Sequence, residues 1–166
     1  MKLLAFETAT EACSVALYLD GEVRERFELA PRRHAELALP WADALLAEAG
    51  LARTQLDAVA VGRGPGAFTG VRLAIALAQG IALALDRPVV PVSTLAVLAT
   101  RAPADGPARI LAAIDARMGE VYAAAFARQG DGTLQPLDAE RVLPPGAVAL
   151  PDGHDGVCHD ALDRAH

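Results

Sequence analysis

Lysine is almost missing from this chain: of 15 basic side chains only Lys2 is a lysine. A phosphate loop or a Schiff base that depends on lysine is excluded unless Lys2 itself serves. Cysteine is nearly as scarce. Cys13 and Cys158 lie 145 positions apart with no Cys-x-x-Cys pair, which excludes a disulfide scaffold and suits buried, reduced thiols in a cytoplasm better than a zinc site. Aromatic residues make up only 4%. Basic side chains are outnumbered by 21 acidic ones, for a formal net charge of -6. A chain of that sign does not grip nucleic acid unaided, because phosphate binding runs on clustered Lys and Arg, so any RNA role has to be shared. Only Leu3 to Phe6 stand between Lys2 and Glu7, too short a run for the hydrophobic region of a secretion signal, and no export is expected.

What is present is small and apolar. Hydrophobic residues make up 53% of 166, and alanine alone accounts for 37. This excludes disorder and fits one compact domain or two small lobes, with cores of small side chains and closely approaching backbones.

The first block opens with the apolar run Lys2 to Phe6, closed by Glu7. Cys13 to Leu19 and Glu22 to Leu29 partly alternate around Asp20-Gly21, a dipeptide favoured in tight hairpins, which predicts a three-stranded meander. From His34 to Ala49 the spacing turns helical: Leu37, Trp41 and Leu45 share one face, Leu39, Ala42, Leu46 and Ala49 another, and Gly50 is the stop. Pro40 is expected to start or kink the main helix. A buried strand follows over Leu56 to Val61, then the glycine-rich Gly62 to Gly70, a helix to about Leu85, a strand over Val89 to Val92, and a short helix over Ser93 to Arg101.

The second block repeats this grammar. Ile110 to Ile114 is an apolar run closed by Asp115, Arg117 to Gly119 turns the chain, Val121 to Ala127 is the next strand, Gly130 to Gly132 turns it again, and a third strand runs from Thr133. The expected organisation is an N-terminal lobe over 1–102, a linker over 103–107, the start of a second lobe over 108–150, and a flexible tail over 151–166. Glu7 and Asp115 hold equivalent places, as duplication requires. Two lobes that each open with a meander whose first strand ends in an acid resemble the actin, sugar kinase and Hsp70 superfamily. That is a ribonuclease H-like α/β fold with duplicated lobes, the second here incomplete. Its members point the first hairpin of each lobe at a nucleotide's phosphates, which raises an enzyme hypothesis without settling it.

Gly62 to Arg72, GRGPGAFTGVR, follows a strand and opens a helix. Thr69 is placed to cap that helix, and free amides at its start could accept an anion. The alternative is a turn needed only for tight strand-to-helix packing. Phe68 stands where a phosphate loop needs lysine, and Ser93 follows the next strand where a dinucleotide site needs an acid. The phosphate-facing candidates are therefore Glu7, Thr8, Gly64, Pro65, Gly66, Thr69, Gly70 and Asp115, with no catalytic residue and no metal ligand set among them. From Val71 to Leu85 the only strongly polar side chains are Arg72 and Gln79. Such a helix is buried on more than one side, and it falls short of the roughly 20 residues that span a bilayer. One face can cover the sheet while the other meets a partner helix, or the two helices satisfy each other within one chain.

Taken together, ETATEACSVAL (Glu7 to Leu17), the His34 segment with Leu39-Pro40, GRGPGAFTGVR, AQGIALAL (Ala78 to Leu85), PVSTL (Pro91 to Leu95) and AAIDARMGEVY (Ala112 to Tyr122) resemble the bacterial TsaB family, also called YeaZ, over roughly residues 1 to 127. The resemblance implies a non-catalytic member of the superfamily, a scaffold and activating subunit for N6-threonylcarbamoylation of adenosine 37 in tRNA. It implies pairing with the paralogue TsaD and recruitment of the TsaE ATPase, with ATP and metal on those partner subunits and no cofactor on this chain alone. The expected partner face is His34, Leu37, Trp41, Leu45, Arg72, Leu73, Ala76, Leu77 and Gly80. The same face is expected to make a homodimer when the chain is alone, in the cytoplasm, with tRNA reached only through the complex and no membrane. A metal-bearing paralogue would place a second histidine four residues after His34, where Ala38 stands. HDGVCHD, His154 to Asp160, superficially resembles a metal cluster on the expected tail. The competing hypothesis is a small-molecule kinase or ATPase of the same superfamily, motivated by Glu7, Asp115 and the glycine loop. A protease is disfavoured, since Ser14, Ser93 and His34 form no recognisable set.

Overall fold

The structure is a computed structural model that describes residues 1–106 and 108–148, and the backbone of 157–159. It divides into two compact units, Met1–Val92 and Ser93–His166.

In the first unit, β1 (Lys2–Glu7), β2 (Ala12–Leu19) and β3 (Glu22–Leu29) form the expected antiparallel meander. Asp20 and Gly21 both take positive φ, 48° and 108°, the pair of conformations that a two-residue hairpin matching the strand twist requires. β4 (Ala58–Gly62) and β5 (Val89–Val92) add in parallel, giving the sheet order β3-β2-β1-β4-β5. Helices α1 (His34–Glu48) and α2 (Phe68–Leu85) cover one face. Beneath them lie Leu4, Phe6, Val15, Leu17, Val59 and Val61, every second residue of their strands. Against these α1 buries Ala38, Ala42, Leu45 and Leu46, and α2 buries Gly70, Ala74, Ala78 and Ala82, one small residue per turn. The alanine excess is thus spent where helix backbones press on the sheet.

Helix ends explain where these elements stop. Leu51 N–H bonds Leu46 C=O and Gly50 N–H bonds Ala47 C=O, with Gly50 at φ 64°. Arg87 and Asp86 repeat that pattern on Ala82 and Leu83 at the end of α2, with Asp86 as the left-handed residue. The Arg87 side chain also donates to the carbonyls of Leu56, Thr54 and Asp86, tying the end of α2 to the segment before β4. Helix α1 begins at His34 and runs through Pro40, so the proline does not start the helix. α2 has 18 residues of mean hydropathy 1.7 and by length and composition could cross a membrane, longer than the sequence suggested. Its small-residue stripe nevertheless lies on β4 and β1.

In the second unit, α3 (Thr94–Thr100) is capped by Ser93, whose hydroxyl accepts the Ala96 N–H at 3.2 Å. β6 (Arg109–Arg117) and β7 (Glu120–Arg128) pair antiparallel, and the short strands β8 (Leu134–Pro136) and β9 (Arg141–Leu143) both pair with β7. The expected third strand is therefore two pieces. Leu95, Ala99 and Ala102 of the α3 segment form one core with Ile110, Ala112, Ile114, Ala124 and Phe126. That packing moves the division between units to Val92/Ser93, ten residues before the boundary at 102 that Pro and Gly composition suggested. Within the stretch expected as a tail, Val157–His159 forms β10, parallel to β6; the rest of that stretch and the side chains of HDGVCHD lie outside the described residues.

Candidate functional site

The glycine-rich turn and the end of β1 build one corner of the first unit. Glu7 closes β1 half-buried, and its Oε1 accepts the Ala9 N–H at 2.7 Å. The same carboxylate lies over Gly62, where any Cβ would collide with it. Thr8 is fully buried and its hydroxyl donates to the Gly70 carbonyl at 2.7 Å. The Ala9 carbonyl accepts the Ala67 N–H at 2.6 Å. A Cβ at Gly66 would strike that carbonyl, and one at Gly70 would strike the Thr8 carbonyl. Gly64, at φ 88°, lies against Val71, and the Gly64–Pro65 peptide is cis. His34 extends the corner: its Nε2 lies 3.0 Å from the Thr10 carbonyl, so that nitrogen carries the proton.

This geometry bears on the two readings of the loop. A phosphate cradle needs glycines whose missing side chains leave room for an anion and a hydroxyl turned toward it. Here the space beside Gly62, Gly66 and Gly70 is filled by Glu7, Ala9 and Thr8, and the Thr8 hydroxyl is committed inside. The corner as built fits tight strand-to-helix packing. Thr69 is not the cap either: α2 is preceded by Ala67, with no side-chain cap bond, and Thr69 is the second helical residue. Asp115 is an exposed side chain in the second unit; its Oδ1 accepts the Arg117 N–H at 2.7 Å and its Oδ2 lies 3.5 Å from Arg117 Nη1. Among the described residues no group of three His, Cys, Asp or Glu side chains could hold a metal.

The helical candidates sort by burial. Leu45 is 2% exposed and belongs to the core, so it cannot face a partner. Leu37, Trp41 and Leu77 are half-buried and pack against that core, and Leu73 is also half-buried. Arg72, Ala76 and Gly80 are exposed on one face of α2, and a Cβ at Gly80 would meet nothing within 4 Å. Two residues of this face were missed. Leu83 is 86% exposed, and Phe68, 68% exposed, carries the Arg72 guanidinium stacked 3.6 Å from its ring centre. Periodicity could not mark them, because a helix apolar all round does not say which side meets the sheet.

The sheet order, the carboxylate ending β1 and the turn above it define an actin-like, ribonuclease H-like α/β protein. Among the described residues the second unit has no counterpart of α1 or α2. A family model described as TsaD, tRNA N6-adenosine threonylcarbamoyltransferase, matches residues 27–157. The structure resembles YeaZ from Pseudomonas aeruginosa with a TM-score of 0.89 at 51% identity, covering 95% of this chain and 75% of that one. The tRNA threonylcarbamoyladenosine biosynthesis protein TsaB of Escherichia coli is 50% identical over 149 residues, 89% of this chain and 64% of that protein. A tRNA N6-adenosine threonylcarbamoyltransferase of Chlorobaculum tepidum is 34% identical over 108 residues, 56% of this chain and 31% of that protein. The chain belongs to the TsaB (YeaZ) family within this group. It spans 64% of the length of its Escherichia coli relative.

Proposed function

We propose that this chain acts in tRNA threonylcarbamoyladenosine biosynthesis as a non-catalytic scaffold and activating subunit. It pairs through the outer face of α2 with a TsaD-like paralogue and helps recruit a TsaE-like ATPase. The observation that carries this reading is the contrast between a filled corner and an open helix face. The loop that would cradle phosphate is packed by its own protein, while Arg72, Ala76, Gly80 and Leu83 are held outward on a rigid helix, small enough at the centre for a partner helix to approach closely. Similarity to a transferase of the same group supports a paralogue as that partner. Catalysis, nucleotide and metal then belong to the partner subunits, and the chain's net charge of -6 leaves tRNA contact to them as well. The work is done in the cytoplasm and away from membranes, with α2 covered by protein.

Mixing the chain with a TsaD-like protein should give a stable complex on size-exclusion chromatography, and Ala76→Glu should abolish it. Absence of a complex, together with ATP binding and hydrolysis by the chain alone, would favour the kinase or ATPase reading and overturn this one.

A further inference from the structure

Arg72 is a cation held in place with no anion beside it. Elsewhere in the first unit Arg24, Arg26, Arg33 and Arg53 each lie against a carboxylate, and Arg87 is committed to backbone carbonyls. Among the described residues Arg72 has no carboxylate partner; its guanidinium rests 3.6 Å from the centre of the Phe68 ring. Stacking leaves the in-plane N–H fork of the guanidinium open, and that edge can hold two carboxylate oxygens at once. The ring also fixes the side chain before anything binds, so less rotamer freedom is lost on pairing. We propose that Arg72, braced on Phe68, is the charge anchor of the α2 face and donates to a side-chain carboxylate of the paralogue that covers it.

This anchor presupposes the paralogue pairing proposed above and adds what that partner has to supply. Covering α2 takes Arg72 out of water together with Phe68, 68% exposed, and Leu83, 86% exposed about three turns further along the helix. A guanidinium covered without an acceptor is a buried, uncompensated charge, which is strongly destabilising. A chain that seats on this face therefore needs an anion opposite Arg72. Once water is excluded by the apolar surroundings, the attraction between the two charges grows. A side-chain carboxylate fits this place better than a phosphate of nucleic acid. Between Arg72 and Leu83 the exposed residues are Ala76, Gln79 and Gly80, none of them basic, whereas phosphate binding runs on clustered cations. Small residues there admit a helix at close range, with a charged mark at one end of the face and an apolar one at the other. Arg72 thus sets register and selectivity, while Ala76, Gly80 and Leu83 supply contact area.

Isothermal titration of the full chain with a TsaD-like protein tests this. Arg72→Gln should weaken binding by about 30-fold or more and flatten its salt dependence, with circular dichroism and thermal midpoint unchanged. Arg72→Lys, which keeps the charge but loses the fork and the flat stack, should recover only part of the affinity. One Asp or Glu of the partner, replaced by its amide, should weaken the wild-type chain to the same degree and Arg72→Gln no further. A wild-type complex that Arg72→Gln leaves equally tight overturns the anchor and leaves the pairing standing. A loss on Arg72→Gln to which no partner carboxylate couples overturns the assignment of a carboxylate. Absence of any wild-type complex overturns the pairing itself, and the anchor with it.

Discussion

Glu7 and Asp115 each stand near the end of the first strand of a meander, and each accepts a backbone N–H two residues on at 2.7 Å, from Ala9 and from Arg117. Beyond that shared bond the two corners diverge. In the first unit the following residues are sealed: Thr8 and Ala9 are buried under Gly62 to Gly70, whose missing side chains are the space they occupy. In the second unit the turn runs outward through Arg117, Met118 and Gly119, all at positive φ, with Met118 98% exposed. A repeated sequence pattern therefore does not repeat an environment. Packing supplied by a distant segment turned one copy into a structural joint and left the other at the surface.

The most severe way to break that contrast is to add one carbon to the sealed corner. Gly70→Ala puts a methyl group into the Thr8 carbonyl, and a cost of about 3 kcal/mol is expected from overpacking against backbone. Gly119→Ala meets nothing within 4 Å and pays only for its φ of 78°, about 1 kcal/mol. Urea denaturation of both variants measures the difference, and equal losses would show that the two corners are packed alike. Next in size, Thr8→Val should cost about 1–2 kcal/mol by removing the buried hydrogen bond from the Thr8 hydroxyl to the Gly70 carbonyl. Hydrogen exchange should rise in the first turn of α2 and not in the second unit.

A pH test sharpens the same contrast. Cys13 on β2 is fully buried, and that burial, with Glu28 adding a smaller push, raises its thiol to about 11. Because the unfolded thiol ionises near 9, the unfolded state loses its proton first. Stability contributed by the neutral thiol is complete below pH 9 and falls as pH rises between about 9 and about 11. Urea midpoints of wild type against Cys13→Ala across that window should converge as pH rises, with faster exchange in the first unit; parallel curves would contradict it. The smallest effect belongs to the second unit's own start. Ser93→Ala should cost about 1 kcal/mol by removing the cap of α3, and the glycine corner should not respond.

Much of this was legible in residues one after another. Asp20-Gly21, the period-two runs around it and Gly50 carry their conformations locally, and the strands and helices of the first unit formed where they were expected. The loop was harder. Its glycines read equally well as room for an anion or as room for protein, because a glycine announces a vacancy and not its occupant. Thr69 looked like a cap since Ser and Thr usually are, yet the chain entered its helix two residues earlier. Leu45 was placed on a partner face by spacing alone, while its neighbours Ala38, Ala42 and Leu46 carried it into the core. The third strand of the second unit was predicted as one piece and is two, since β8 and β9 each pair with a different part of β7.

Composition and pattern by themselves determined the fold class, the meander in each unit and the alanine-built core. These depend on local conformation and on periodicity, which a linear sequence carries in full. Tertiary structure alone decided which glycines are filled and by what, which face of α2 stays open, and that the helix after β5 packs with the second unit. Each of those depends on residues far apart in the chain meeting within a few ångström, and no single segment encodes that meeting.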